Sequence, residues 1–265
     1  MSVFRIFINL FLLSLLRFTV NAQNPTYIAH VCRNAVNFTR NRTYQSNLNS
    51  LLSALSSNAN VTNGFYNTTS GESPNRIYGF FLCRGDVPTT ICQNCVIFAT
   101  KNVENWCPVE KQVVIWYDEC LLHYSGEPNS FTLSERLNAS TVNPTNLNAS
   151  YEGQFNKEVA VTINDATTQA VSVDKRFATK KSNCSVFQTL YSLVQCTPDL
   201  SSLDCNRCLQ EAISGLSECC SGKVGARVLY PRCYVRYEVY QFYAAPILTP
   251  PAVVNHRGKV ECIIY

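Results

Sequence analysis

The sequence predicts an α+β protein of two tandem domains, each an antiparallel β-sheet packed with two helices and stapled by disulfides. A run of five cysteines occurs twice, and the same four intervals of nine, three, twelve and thirteen residues separate its members each time. Four matching intervals do not arise by chance, so the chain contains two copies of one unit. Each copy follows the order strand, helix, strand, helix and strands, without the alternation of a doubly wound sheet. The two runs are Cys83, Cys92, Cys95, Cys107, Cys120 and Cys196, Cys205, Cys208, Cys220, Cys233.

Composition indicates an oxidising compartment. Among 265 residues there are 14 cysteines and one methionine, and 46% are hydrophobic, which is enough for two cores. In a reducing cytosol so many thiols would need metals or a redox task, whereas outside it they form cross-links. The net charge is only +4 and there is no basic run. Charge therefore gives no reason to expect binding to nucleic acid or lipid headgroups.

The amino terminus predicts export. Arg5 precedes an apolar run over residues 6–16, and residues 20–22 offer small side chains at the positions that a signal peptidase reads, so we expect cleavage before Gln23. Arg17 leaves this run too short to span a membrane, although an uncleaved anchor is the alternative. Seven N-glycosylation sequons agree with a secreted, extracellular chain. They begin at Asn37, Asn41, Asn60, Asn67, Asn138, Asn148 and Asn183.

In the first copy, residues 26–32 predict an initial strand because they are rich in β-forming residues. A helix follows, since apolar residues recur at three- and four-residue spacing with Asn and Ser opposite them. Its apolar face consists of Tyr44, Leu48, Leu51, Leu52 and Leu55. Residues 61–75 are rich in Gly, Asn, Thr and Ser, and this composition predicts a surface loop.

The motif region of the first copy predicts a strand over residues 76–84, then a short loop that carries Cys92 and Cys95 onto a second helix. The apolar face of that helix consists of Val96, Ala99, Val103 and Trp106. Residues 113–124 are apolar and aromatic, and they predict a final β segment.

The second copy repeats this plan. Its first helix matches that of the first copy in nearly the register of the cysteines, through Phe155, Val159, Ile163 and Ala166. Residues 189–196 predict the strand before the motif, and residues 227–243 predict the last strands. The second helix presents Leu209, Ala212, Ile213 and Leu216.

We predict four segments: a signal peptide at 1–22, domains at 25–129 and 135–243, and a tail at 244–265. The linker is short and is expected to include the first strand of the second copy, so the domains should pack side by side. Prolines and a polar stretch interrupt the tail, which therefore does not predict a membrane span.

Two Cys-x2-Cys pairs raise the alternatives of a zinc site and a redox-active dithiol. Their wide separation along the chain and the oxidising compartment argue against zinc. A thioredoxin-like pair would need a strand, a loop with free thiols and a helix, and the sequence around these pairs lacks that setting. We therefore predict no metal and no cofactor. Redox sensing through an unpaired cysteine is a separate hypothesis.

Catalytic constellations are not found in the sequence. His30, His123 and His256 are the only histidines, and none lies in a motif with Ser, Cys or Asp partners. Asp118 and Glu119 are the one adjacent carboxylate pair, and neighbours on a strand point to opposite faces. We expect His30 and His123 to be structural, and we predict that the chain is not an enzyme.

Short motifs surround the repeated cysteines. Both copies contain Cys-x8-Cys-x2-Cys, the first has Trp-Tyr-Asp-Glu-Cys at 116–120, and the second has Gln-Cys-Thr-Pro-Asp-Leu at 195–200 and Gly-Lys-Val-Gly-Ala-Arg-Val-Leu at 222–229. These motifs resemble the plant ginkbilobin-homologous (stress/antifungal) domain, over about residues 25–243. In that family the domain occurs in tandem, in secreted cysteine-rich repeat proteins and in the ectodomains of cysteine-rich receptor-like kinases.

The resemblance also implies a disulfide pairing. In the first copy it joins Cys32 to Cys107, Cys83 to Cys92 and Cys95 to Cys120, and in the second it joins Cys196 to Cys205 and Cys208 to Cys233. The second copy has no equivalent of Cys32 in the sequence, so the partner of Cys220 stays open. The unassigned cysteines are Cys184, Cys219, Cys220 and Cys262.

Antifungal members of the family it resembles bind mannose through an Asn after the first cysteine, an Arg six residues before the last and a Glu five residues after it. The first copy has Arg33, Val114 and Ser125 at these positions and loses all three groups. The second copy keeps Arg227 and Glu238, while its Asn position cannot be placed without the missing cysteine. A sugar site and a salt bridge between adjacent strands both explain this pair.

Two functions follow from the resemblance. The first is a secreted, apoplastic recognition module of stress or defence signalling that binds an extracellular protein or a cell-wall glycan. The second is a mannose-binding antimicrobial effector. The abrupt C-terminal end, at Tyr265, favours truncation from a longer receptor gene. The sequence leaves open whether the chain is a natural secreted protein or a receptor fragment.

Overall fold

A computed structural model describes residues 24–33, 41–127, 137–183 and 189–244. The predicted signal peptide, Asn37, Cys184, His256 and Cys262 lie outside the described residues. The described part contains two five-stranded antiparallel sheets, each with helices, as the α+β prediction requires. The fold class is therefore confirmed.

The first unit begins at a strand and ends at a hairpin. Its elements are β1 (Tyr27–Arg33), α1 (Arg42–Ser57), β2 (Phe65–Ser70), β3 (Ile77–Cys83), α2 (Thr89–Trp106), β4 (Gln112–Tyr117) and β5 (Cys120–Ser125). The second unit repeats this order after a short first strand. Its elements are β6 (Ala139–Val142), a 3-10 helix (Ala149–Tyr151), α3 (Glu152–Ser172), β7 (Phe177–Ser182), β8 (Leu190–Cys196), α4 (Ser202–Cys219), β9 (Ala226–Leu229) and β10 (Cys233–Glu238).

Both sheets have the same topology. The strand order is β1-β4-β5-β3-β2 in the first unit and β6-β9-β10-β8-β7 in the second, and the pairing is antiparallel throughout. Side-chain caps begin α1 and α4: the Asn41 side chain accepts a hydrogen bond from the Tyr44 amide at 2.7 Å, and Ser201 does the same for Asp204 at 3.1 Å. The predicted apolar face of α1 is buried along its whole length.

Alternate residues of each central strand face opposite sides of the sheet. In β4, Val113 and Ile115 pack against the helices, whereas Val114 and Trp116 belong to a separate cluster on the other side. That second cluster also contains Leu229 of the second unit. The two sheets therefore pack against each other through the faces that their helices leave uncovered, and the expected side-by-side packing of the domains takes this form.

Local structure differs from the sequence prediction in four places. Residues 61–75 are not all loop, because they contain strand β2, and the second unit contains an unpredicted strand, β7. Both are edge strands whose outer sides face solvent, so their sequences are polar and carry a weak strand signal. The segment 113–124 is a hairpin, with Asp118 and Glu119 in the turn rather than within a strand. Trp106 ends α2 and is 41% exposed, so it does not belong to the buried helix face.

Candidate functional site

Charged side chains converge where the two sheets meet. Asp118, in the β4–β5 turn of the first unit, accepts hydrogen bonds on Oδ1 from Nη1 of Arg227 at 2.9 Å and from Nη1 of Arg236 at 2.8 Å. Its Oδ2 accepts from Nη1 of Arg84 at 2.8 Å. One carboxylate of the first unit thus joins two arginines of the second.

Two further carboxylates complete this interdomain charge cluster. Asp86 accepts from Nε of Arg84 at 2.6 Å, and Glu238 accepts from Nε of Arg236 at 3.2 Å. Asp86 also accepts from the backbone amide of Ala244 at 2.8 Å, which ties the end of the second unit to the first. The cluster consists of Arg84, Asp86, Asp118, Arg227, Arg236 and Glu238. Three guanidinium groups face three carboxylates, so it carries no formal net charge.

Burial and charge act in opposite directions on Asp118. Burial raises the pKa of this carboxyl, but the charges of Arg236, Arg84 and Arg227 outweigh burial and hold its pKa below the ordinary value. Burial lowers the pKa of Arg227, and Arg236 opposite it lowers that pKa further. Both groups stay ionised near neutral pH, since an arginine titrates far above it. The cluster is therefore a set of ion pairs and not an acid–base pair.

Gln195 adds a neutral link between the units. Its Nε2 donates to the carbonyl oxygen of Cys83 at 3.0 Å, and its Oε1 accepts from the amide of Gly85 at 3.0 Å. The Tyr234 hydroxyl donates to the same Oε1 at 2.8 Å. Burial strongly raises the pKa of Tyr234, so this hydroxyl keeps its proton. These bonds, like the charge cluster, fix the position of one sheet relative to the other.

A cavity of about 30 Å³ adjoins the cluster and is lined by both units, including Trp116, Asp118 and Arg227. The buried indole Nε1 of Trp116 has no hydrogen-bond partner among the described residues. Such a volume suits one or two water molecules. A pyranose ring is several times larger and does not fit between the units as they are packed.

A family model described as salt stress response/antifungal matches residues 31–127 and 140–240. The chain belongs to this family. It contains two tandem family domains, and neither match extends into the first 30 residues.

Relatives within the family are receptor-like kinases of Arabidopsis thaliana. The chain is 44% identical over 237 residues to cysteine-rich receptor-like protein kinase 25. This alignment covers 86% of this chain and 35% of that protein. It is 39% identical over 239 residues to the putative cysteine-rich receptor-like protein kinase 9, with 89% of each chain covered. The chain thus spans about a third of the length of kinase 25 and of another such relative.

A solved structure has the same fold. The tandem DUF26 ectodomain of the cysteine-rich receptor-like protein PDLP8 from Arabidopsis thaliana aligns with a TM-score of 0.68 at 21% identity, covering 82% of this chain and 100% of that one. The chain therefore has the fold of such an ectodomain. No helix within the described ranges of this chain is both long and apolar enough to cross a membrane.

Strand register places the sugar-binding position of the family that the sequence alone cannot place. Cys32 lies opposite Val113 in the first sheet. The shift that relates the two cysteine runs carries Val113 onto Ala226, and Ala226 lies opposite Val142 in the second sheet. Val142 therefore stands where the first unit has Cys32. The next residue is Asn143, whose amide donates to the Gly225 carbonyl at 2.8 Å.

With Asn143, the second unit has Asn, Arg and Glu at all three sugar positions, but two of these residues are already engaged. Arg227 pairs with Asp118, and Glu238 pairs with Arg236 and is only 4% exposed. The salt bridge that was one explanation of this pair forms with other partners: Arg236 lies directly opposite Arg227 and binds Glu238. Sequence reasoning missed Asp118 because it was assigned to a strand; an Asp-Glu pair between two apolar runs is a hairpin-turn signal.

The structure joins the cysteines into six disulfides within the described residues. They are Cys32–Cys107, Cys83–Cys92, Cys95–Cys120, Cys196–Cys205, Cys208–Cys233 and Cys219–Cys220. The first five are the pairs that the resemblance implies, and the sixth gives Cys220 an adjacent partner. Both Cys-x2-Cys motifs bond outside themselves, which leaves no thiolates there for zinc or for an internal redox pair. Cys219 and Cys220 are bonded to each other, so neither is a free thiol in this structure.

The remaining predicted residues lie on the surface or in the core. The six sequon asparagines in the described ranges are exposed: Asn41, Asn60, Asn67, Asn138, Asn148 and Asn183. Their glycosylation stays a prediction. His123 is fully buried in β5, and burial lowers its pKa to about 3, so it is neutral and structural. His30 lies in β1 and contacts two aromatic rings.

Proposed function

We propose that this chain is a secreted, apoplastic recognition module of plant stress or defence signalling that binds an extracellular protein or a cell-wall glycan without catalysis. The observation that supports this most is the charge cluster, in which Asp118 of one unit binds two arginines of the other. A pair of sheets held in this way presents one rigid surface. Relatives with the same domains are receptor-like kinases, in which recognition outside the cell is the task of an ectodomain.

Export is part of the proposal. Residues 1–22 are proposed to direct secretion and to be removed, and the sequon asparagines are proposed to carry glycans. Fusing residues 1–22 to a fluorescent protein in leaf cells tests this step. Fluorescence in the apoplast is expected, and retention inside the cell would contradict it.

Recognition is tested with the secreted full chain. Labelled protein is added to intact leaf cell walls and membranes, and retention is measured against an excess of unlabelled protein. Saturable retention that unlabelled protein abolishes is expected. Linear, non-competable retention would contradict the proposal, as would turnover of the retained material.

A mannose-binding antimicrobial effector is the second candidate, because the second unit carries Asn143, Arg227 and Glu238 at the three sugar positions. The contacts of Arg227 and the small adjoining cavity oppose it. A mannan column separates the candidates: free flow-through of the native chain supports the recognition module. Retention that disappears in Arg227→Ala but persists in Arg207→Ala, an exposed arginine of the same unit, supports the effector.

A further inference from the structure

An aromatic stack on the surface of the first unit lies outside the core clusters and the charge cluster, and it meets the core at Tyr117, whose ring is 6.2 Å from that of Tyr27. The rings of Tyr27 and Trp106 lie parallel, with centroids 4.4 Å apart and an angle of 5° between their planes. Both side chains remain about two-fifths exposed, at 40% and 41%. Large aromatic side chains usually bury most of their surface, so two that stack on each other in solvent call for an explanation.

His30 completes the stack. Its ring centroid lies 5.1 Å from that of Trp106 and 5.9 Å from that of Tyr27. The Tyr27 hydroxyl and His30 Nδ1 are 2.6 Å apart and share a hydrogen bond. In either tautomer of the imidazole, Nε2 is the ring nitrogen outside this bond, where it can donate or accept. The stack therefore has a hydrogen-bonding atom at its edge.

The Cys32–Cys107 disulfide holds the stack in place. Cys32 lies two residues after His30 on β1, and Cys107 follows Trp106 at the end of α2. The bond therefore fixes the strand and the helix end that carry the aromatic rings. A surface fixed before its ligand arrives loses little conformational entropy on binding.

The described residues of the second unit contain no equivalent stack. By repeat register, Trp106 corresponds to Cys219, and His30, opposite Ile115, corresponds to Ser140, opposite Val228. The aromatic rings and the disulfide beside them thus occur together in the first unit and are lost together in the second.

From these contacts we infer that Tyr27, His30 and Trp106 form a carbohydrate-binding platform, distinct from the sugar positions of the second unit. The apolar C–H face of a pyranose ring packs on the electron-rich face of an aromatic ring, and its hydroxyls bond to groups at the rim. Because the two rings stack face to face, each has one outward face, which matches the area of one sugar unit and is far smaller than a stable protein interface. The ligand class is therefore a neutral oligosaccharide. This inference names a site for the glycan branch of the proposed function and rests on that function.

The chain supplies its own probe for this site. It has two tryptophans, of which Trp116 is 2% exposed and Trp106 is the solvent-facing one. The full chain is titrated with cellohexaose, chitohexaose and mannohexaose while quenching of tryptophan emission by iodide is followed. At least one oligosaccharide is expected to protect Trp106 from iodide, with a dissociation constant in the millimolar range. No protection by any of the three would overturn the inference.

Variants locate the binding. Calorimetric affinity for the protecting oligosaccharide is expected to fall about tenfold or more in Trp106→Ala and measurably in His30→Ala, a milder change in case the first disturbs the fold. Tyr151→Ala, in which an aromatic side chain of similar exposure is removed from the second unit, should leave affinity unchanged. Unchanged affinity in both platform variants would overturn the site. If the chain is retained saturably on cell walls while none of the three oligosaccharides protects Trp106, the proposed recognition function stands and the carbohydrate-binding platform is rejected.

Discussion

The two units share one topology but differ at the edge of the sheet where the chain enters. In the first unit Cys32 on β1 is bonded to Cys107 after α2, and the aromatic residues His30 and Trp106 lie within two positions of these cysteines along the chain. In the second unit Val142 takes the place of Cys32, and Cys220 bonds to its neighbour Cys219. Within the described residues, the two units therefore share two disulfides and differ in the third.

A second difference lies between the helices. In the first unit Nε2 of Gln45 donates to Oε1 of Glu104 at 2.9 Å and links α1 to α2. In the second unit the corresponding residues are Asn156 and Ser217, whose shorter side chains line an open cavity of about 100 Å³ between α3 and α4. The first unit is the more tightly closed of the two.

Removing the third disulfide should have the largest effect. Cys32→Ser with Cys107→Ser opens a loop of 75 residues and should lower the free energy of unfolding of the first unit. The expected loss is about 4.5 kcal/mol. Urea unfolding followed by far-UV circular dichroism measures the loss in this variant and in its control, because both units contribute to that signal. The control, Cys219→Ser with Cys220→Ser, closes no loop and should cost less than about 1 kcal/mol. Equal losses in the two variants would contradict the comparison.

Neutralising Asp118, the centre of the interdomain charge cluster, should have the second-largest effect. Asp118→Asn leaves three partly buried arginines without their shared carboxylate and should lower the free energy of unfolding by about 3 kcal/mol, discounted for partial exposure. Calorimetry should show the single transition separating into two. Asp165→Asn removes an exposed ion pair with Lys180 and should cost less than about 0.5 kcal/mol. An Asp118→Asn chain as stable as the native one would contradict the claim that Asp118 holds the two units together.

His123 gives the first unit a dependence on pH that the second lacks, because the corresponding residue there is Arg236. Its pKa falls from 6.5 to about 3 on folding, so between these values the unfolded chain binds the extra proton. Stability should therefore decrease as pH falls below 6.5, by up to about 2 kcal/mol at pH ~5. Urea midpoints at several pH values measure it. His123→Leu should flatten this part of the profile, and an unchanged slope would exclude the assignment.

A smaller effect is expected at Gly225, over which Glu238 packs. A Cβ atom there would lie 1.9 Å from Oε2 of Glu238, so Gly225→Ala should displace that carboxylate at a cost of about 1.5 kcal/mol. Gly153, at the start of α3, has nothing within 4 Å of such a Cβ. Gly153→Ala should stabilise the chain by about 0.5 kcal/mol, through helix propensity. Thermal unfolding of both variants tests the contrast, which opposite signs support and equal signs reject.

The smallest expected effect is a gain. Asn156→Gln with Ser217→Glu copies the link between α1 and α2 into the second unit and should stabilise it by about 0.5 kcal/mol. A double-mutant cycle in urea isolates the coupling, because neither single change forms the link. A coupling energy of zero would mean that side-chain length does not explain the open cavity.

The repeated cysteines showed that the chain contains two copies of one unit. Sequence reasoning also predicted both helices of each unit and the central strands, because these elements bury periodic apolar residues. It missed β2 and β7, whose polar edge sequences gain their strand geometry from pairing. It also missed the interdomain charge cluster, because Asp118 and Arg227 are far apart in the sequence and only the packing of two sheets brings them together. The position of Asn143 needed strand register, which no spacing from a cysteine supplies.

The most direct test of the whole account is mass mapping of disulfides in the protein recovered from the medium of plant cells. We expect an amino terminus at Gln23 and matched links in the two units, Cys83 to Cys92 and Cys196 to Cys205, with Cys32 bonded to Cys107 in the first unit alone. Free thiols at either matched pair would contradict the claim that two exported, cross-linked copies of one domain make up this chain.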